Sequence, residues 1–129
     1  MPADAQQKKA IRYMTTQYLR IMGSSQRLLD YAAGSARRSP DTQFVGDGLF
    51  AWWDAFMNPT HPEYAELFSP RELESLRRYD AVIRRFHETS PDRNLPIQEF
   101  VRTKTFEEVS DAARHCYRAF RRFWFFHAA

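Results

Sequence analysis

Asp47 and Asp54 stand seven positions apart in the most apolar stretch of the chain, Phe44 to Met57, with the small residues Gly48 and Ala51 between them. On a helix that spacing puts both carboxylates on one side, where a backbone or an arginine side chain can come close. Two readings follow. The carboxylates form an acidic face that meets a partner, or Asp54 makes an internal salt link to an arginine of the third long helix or the last one. Burying a carboxylate without a partner is too costly for a third option. Gly46-Asp47-Gly48 also reads as a turn whose aspartate caps the helix that follows.

Asp80 and His87 form the next pair, two helical turns apart at the edge of one apolar stripe. Their separation, roughly 10–11 Å along the axis, rules out a direct hydrogen bond but allows both to face a cavity holding a metal or small ligand. Against that, Arg84 lies one turn beyond Asp80, a good ion-pair spacing. The four histidines, His61, His87, His115 and His127, supply no HxxxH or ExxH pair on a helix. Asp111 and His115 share spacing of that kind, but on an outward face, where two ligands make a poor metal site. Cys116 falls within a regular apolar seam and reads as a small core residue, since a nucleophilic thiolate needs exposure and a base.

At the other end, Phe125 and Phe126 step off the last apolar seam toward the arginine side, next to Arg122. An aromatic pair on a basic face is a contact patch for a partner or a cap over a neighbouring helix. Arg122-Phe123-Trp124-Phe125-Phe126-His127 has R-x4-H spacing similar to the signature of the HEPN ribonucleases, small all-helical proteins. The resemblance implies arginine and histidine acting on an RNA backbone. It covers six residues and departs from the pattern in having only aromatic residues between the two.

The elements that must position these groups read as helices. A first helix is expected from about Asp4 to Ala33, with Ile11, Met14, Tyr18, Ile21, Ser25, Leu28 and Ala32 as a heptad seam widened by Met22 and Leu29. Gly23-Ser24-Ser25 marks a bend or short break, Gly34 a left-handed cap, and residues 35–42 a loop. The central helix, with Val45, Leu49, Trp52, Trp53 and Phe56 on one seam, must stop by Asn58-Pro59. A short piece follows over 63–68. Ser69-Pro70-Arg71-Glu72 is a capping box opening a helix to about Glu88 that buries Leu73, Leu76, Tyr79, Val82, Ile83 and Phe86. After a turn at 90–94, Pro96 begins a short piece with Ile97, Phe100 and Val101. Thr105-Phe106-Glu107-Glu108 reads as a second capping box, opening a helix whose seam is Phe106, Val109, Ala113, Cys116, Tyr117, Phe120, Phe123 and Trp124.

A chain of 129 residues, 43% hydrophobic and 16% aromatic, is long enough for one core and too apolar for disorder. The expected architecture is all-α: one domain over residues 1–129, an antiparallel bundle of about four main helices plus one or two short pieces. The single cysteine excludes an internal disulfide framework and fits a reducing cytoplasm. No apolar run is long enough to span a bilayer, and no signal peptide is evident. A charge of +3, spread along several helices, gives little support to nucleic-acid binding. No nucleotide-binding loop, cofactor site or convergent nucleophile and base is visible. The expectation is therefore a non-enzymatic cytoplasmic protein of inhibitor, immunity or adaptor type, binding another protein or a second copy of itself through Asp47, Asp54, Arg122, Phe125 and Phe126. The rival is a small metal- or ligand-binding enzyme built across helices around Asp54, Asp80 and His87. A third reading is RNA binding or cleavage at the arginine-aromatic C-terminal end.

Overall fold

The computed structural model describes residues 5–36, 50–56 and 64–127, without the side chains of 35–36, 55–56, 64–65, 93 and 121–127. Within these bounds the chain is an all-α bundle. Its elements are α1 (Ala5–Met22), α2 (Ser25–Ala36), α3 (Ala51–Phe56), α4 (Tyr64–Leu67), α5 (Pro70–Thr89), a 3-10 turn (Pro91–Asn94), α6 (Ile97–Phe100) and α7 (Lys104–His127).

The capping box at the start of α5 forms as its spacing dictates. Ser69 Oγ accepts the Glu72 N–H at 3.2 Å, and Glu72 Oε1 accepts the Ser69 N–H at 2.9 Å. Leu73, Leu76, Tyr79, Ile83 and Phe86 then recur at three and four positions as the buried stripe, with Val82 half-buried at its edge. The helix closes with the Ser90 N–H on the Phe86 carbonyl at 2.9 Å, and Pro91 prevents its continuation. α7 begins two residues earlier than its apparent capping box. Thr103, not Thr105, is the cap, its Oγ1 accepting the Phe106 N–H at 3.1 Å. Thr105 instead donates its hydroxyl to Asp92 Oδ2 at 2.9 Å, tying the 3-10 turn to α7. Its buried seam is Phe106, Val109, Ala113, Cys116 and Phe120, as the periodicity predicts.

The first expected helix is two. α1 ends at Met22, and Ser24 caps α2 by accepting the Arg27 N–H on Oγ at 3.3 Å. The break shifts the phase of the seam. Thr15, Tyr18, Leu19 and Met22 are buried on α1, while Met14 is 38% exposed and Ser25 faces solvent. A seven-residue repeat misplaces Met14 because a straight helix turns every 3.6 residues, and the break then leaves Ser25 outside the seam. Gly34 lies inside α2 and no described glycine has positive φ, so it is not a left-handed cap. Gly23 answers to a close approach instead. A Cβ there would stand 3.0 Å from Cγ of Arg114, which crosses from α7 and donates to the Gly23 carbonyl at 3.0 Å.

Two long-range contacts set the helix directions. Arg12 meets Glu72 and Tyr18 meets Tyr79, at sequence separations of 60 and 61, so α1 and α5 run parallel. Gly23 meets Arg114 while Arg12 lies over Phe120, so α7 runs antiparallel to α1. Phe68, just before α5, meets Phe120, whereas Phe86 shares its surroundings with Phe100 and Phe106. α7 is thus antiparallel to α5 as well, and it is the element that packs against both. The aromatic stretch expected at the centre contributes Phe50 and α3. Val45, Leu49 and Met57 lie outside the described residues.

Candidate functional site

Trp53 brings the polar groups together. Its indole is fully buried, with ring centroids 5.2 Å from Tyr18 and 4.8 Å from Tyr79. Trp52, roughly 100° away on the helix, turns to the other side, stacked on Tyr31 at 4.9 Å and edge-on to Tyr18 at 4.8 Å. Because a buried indole N–H needs an acceptor, Trp53 Nε1 donates to Asp80 Oδ1 at 2.8 Å. Asp80 is itself buried, and Arg84, one turn on, donates from Nε to both of its oxygens at 3.0 Å. The same guanidinium reaches back to α3, giving Asp54 Oδ1 a hydrogen bond of 3.0 Å from Nη2. Asp54 therefore has the internal arginine partner foreseen as one of its two readings, although its side chain remains 51% exposed.

This arrangement is an arginine held between two carboxylates, with an indole locked onto the inner one. Burial works against the Arg84 charge, but its hydrogen bonds and charge interactions with Asp80 and then Asp54 more than offset this, so its pKa is raised. Beside it, the Tyr18 and Tyr79 hydroxyls meet at 2.8 Å inside the core. Desolvation raises the pKa of both, with Asp80 and Cys116 adding repulsion to either phenolate. Cys116 is buried too, and desolvation followed by the Glu72 charge pushes its thiol up to about 12. Neutral phenols and a protonated thiol at ordinary pH serve packing and hydrogen bonding, not nucleophilic attack.

Asp80 and His87 do not converge. Asp80 turns to Trp53 and Arg84, whereas the His87 ring stacks on Phe50, centroids 3.7 Å apart and planes within 8°. Among the described residues no group of three or more His, Cys, Asp or Glu side chains gathers as metal ligands. Asp111 and His115 are exposed on α7, and Asp111 is ion-paired with Arg114. Asp47 lies outside the described residues. Arg122, Phe125, Phe126 and His127 lie on α7, but their side chains are outside the description.

A second polar centre joins α1 to the start of α5. Arg12 donates to both Glu72 oxygens at 2.8 Å and to the Leu67 carbonyl at 3.0 Å, under the rings of Phe68 and Phe120. Glu72 is 1% exposed. The capping box announced its local role; no local signal could have announced a partner sixty positions away.

The fold and these clusters define an all-helical bundle braced by polar links between helices. Comparison with protein-family profiles, curated proteins and solved structures finds no match to this chain. None of the described helices is long and apolar enough to cross a membrane.

Proposed function

We propose that this protein acts by binding another protein in the cytoplasm, as an inhibitor, immunity or adaptor protein does, and performs no covalent chemistry of its own. The observation that carries this reading is on the outer face of α1, where Tyr13 is 65% exposed and Met14 38% exposed. Tyrosine offers a large contact area at small entropic cost and methionine adapts to irregular surfaces, so both suit an interface core. The braced interior supports the same reading. Asp54, Asp80 and Glu72, the carboxylates that could serve as bases, are each engaged by an arginine. A rigid scaffold of that kind presents its surface with little ordering cost on binding. Asp47, Asp54, Arg122, Phe125 and Phe126 belong to the proposal as further contact residues.

The test places a photo-crosslinking amino acid at position 17, beside Tyr13 and Met14, and compares that protein with a version also carrying Tyr13→Ser and Met14→Ser. The expected result is a discrete adduct in cell extract that disappears with the serine pair at unchanged melting temperature. A parallel pair, Phe125→Ser with Phe126→Ser, reports on the other end. Adducts insensitive to both serine pairs, or no adduct at all, overturn the proposal. Light scattering identifies a second copy of the chain as the partner.

A further inference from the structure

The turn at Gly23 and Ser24 has an electrostatic consequence. It brings Arg20, in the last turn of α1, and Arg27, in the first turn of α2, to one groove, and α7 adds Arg114 and Tyr117 across it. The groove is about 670 Å³ and open to solvent, within the range of small-molecule sites. Among the described residues its lining contains three arginines and no carboxylate. The nearby acids are turned to other work. Asp111 holds Arg114 from the side, together with Ser110 Oγ and the Gly23 carbonyl, and Asp30 accepts from Gln26 at 3.0 Å. Among the described residues neither Arg20 nor Arg27 is ion-paired. Three arginines therefore line one concavity: Arg114 is held by Asp111, Ser110 and the Gly23 carbonyl, while Arg20 and Arg27 are without an ion pair among the described residues.

We propose that this groove is an oxyanion site for a phosphate group, with Arg20 and Arg27 as its principal donors and Arg114 as a pre-positioned third. The guanidinium fork matches the tetrahedral oxygens of phosphate in geometry and charge. With no carboxylate among the described lining residues, Arg20 and Arg27 face no built-in competitor; Asp111 competes only for Arg114, which it also holds in place. Gly23 keeps the floor low enough for Arg114 to lie across it: a Cβ there would crowd the Arg114 stem. Tyr117, also in the lining, offers an aromatic surface suited to the organic part of a phosphomonoester. The site is independent of the proposed protein-binding face, since Tyr13 and Met14 are not part of its lining.

The test is a titration of the isotope-labelled full chain with inorganic phosphate at constant ionic strength, followed by amide NMR. Saturable shifts confined to residues 19–27 and 110–117 are expected. Affinity should fall about tenfold or more in Arg20→Gln/Arg27→Gln, the loss of charge-assisted hydrogen bonds. It should be unchanged in Arg71→Gln/Arg77→Gln, which removes the same charge from exposed positions on α5. Phenyl phosphate separates two sources of the anion. Tighter binding than phosphate indicates a phosphomonoester ligand and equal binding free phosphate, and either upholds the site. Shifts that fail to saturate or spread over the whole surface in the wild type overturn it, as does equal weakening in the two arginine pairs. The wild-type map decides even if the groove variant folds poorly.

Discussion

Arg12 holds both carboxylate oxygens of Glu72 at 2.8 Å while Glu72 Oε1 also accepts the Ser69 N–H that opens α5. One side chain thus starts α5 correctly and docks α1 onto it. With Glu72 buried and Arg12 23% exposed, the pair is better shielded than a surface salt bridge. Arg12→Ala is expected to destabilise the fold by about 3 kcal/mol, because it leaves a buried carboxylate without its cation. Glu72→Gln should cost less, about 2 kcal/mol, since the amide can still accept from Ser69. Urea unfolding of the two single variants and the double variant checks this. Strictly additive losses would show that the two residues do not act as a pair.

The two carboxylates on Arg84 should behave very differently. Asp54 is half-exposed, and Asp54→Asn is expected to change stability by no more than about 0.5–1 kcal/mol, as for surface ion pairs. Asp80 accepts from buried Trp53 as well as Arg84, so Asp80→Ala should cost about 3 kcal/mol. Trp53→Ala should cost about 3–5 kcal/mol by opening a cavity among Tyr18, Tyr79 and Asp80. Thermal melts of the three variants would contradict this account if Asp54→Asn proved as damaging as Asp80→Ala.

Alkaline pH should weaken the fold. Cys116, Tyr18 and Tyr79 all have pKa values raised by burial, so the folded state holds protons that the unfolded state has released. Their contribution is complete below the unfolded values, about 8.5 for the thiol and 10 for the phenols, and is lost as pH rises through the folded ones. Each group steepens the loss by at most about 1.4 kcal/mol per pH unit. The urea midpoint should therefore fall from pH 8 to pH 11, and less steeply in Cys116→Ala once referred to that variant's own value at pH 8. A flat profile in the wild type would contradict the burial of these groups.

Gly23 should resist enlargement. Its missing Cβ would sit 3.0 Å from Arg114 Cγ and 3.2 Å from the Leu19 carbonyl. Gly23→Val is expected to destabilise by about 1–3 kcal/mol through crowding at the α1–α7 crossing. Gly34, with open space where its Cβ would be, should accept alanine with a small gain, about 0.4–1 kcal/mol. Equal effects at the two glycines would remove close approach as the reason for Gly23.

Features that depend on near neighbours are legible in the chain's residue spacing. Ser69 and Glu72 are three residues apart, so their capping box follows from spacing alone. Asp80 and Arg84 are one turn apart, and the apolar seams of α5 and α7 repeat with the period of the helix they occupy. The same local logic failed where two local solutions compete: Thr103 and Thr105 both offer a cap, and one is drawn instead to Asp92. It failed again along α1, where a strict seven-residue repeat does not follow a helix of 3.6 residues per turn: Met14 is exposed and Leu19 buried. Apart from the arginine partner of Asp54, one of its two readings from sequence, the links between helices came from the packing. Arg12 has no neighbour in sequence that points to Glu72, nor Trp53 to Asp80, and Arg20, Arg27 and Arg114 share a groove only because the chain turns at Gly23 and α7 runs back across it. Docking geometry sets those distances, and it is a property of whole packed faces, which no short spacing encodes.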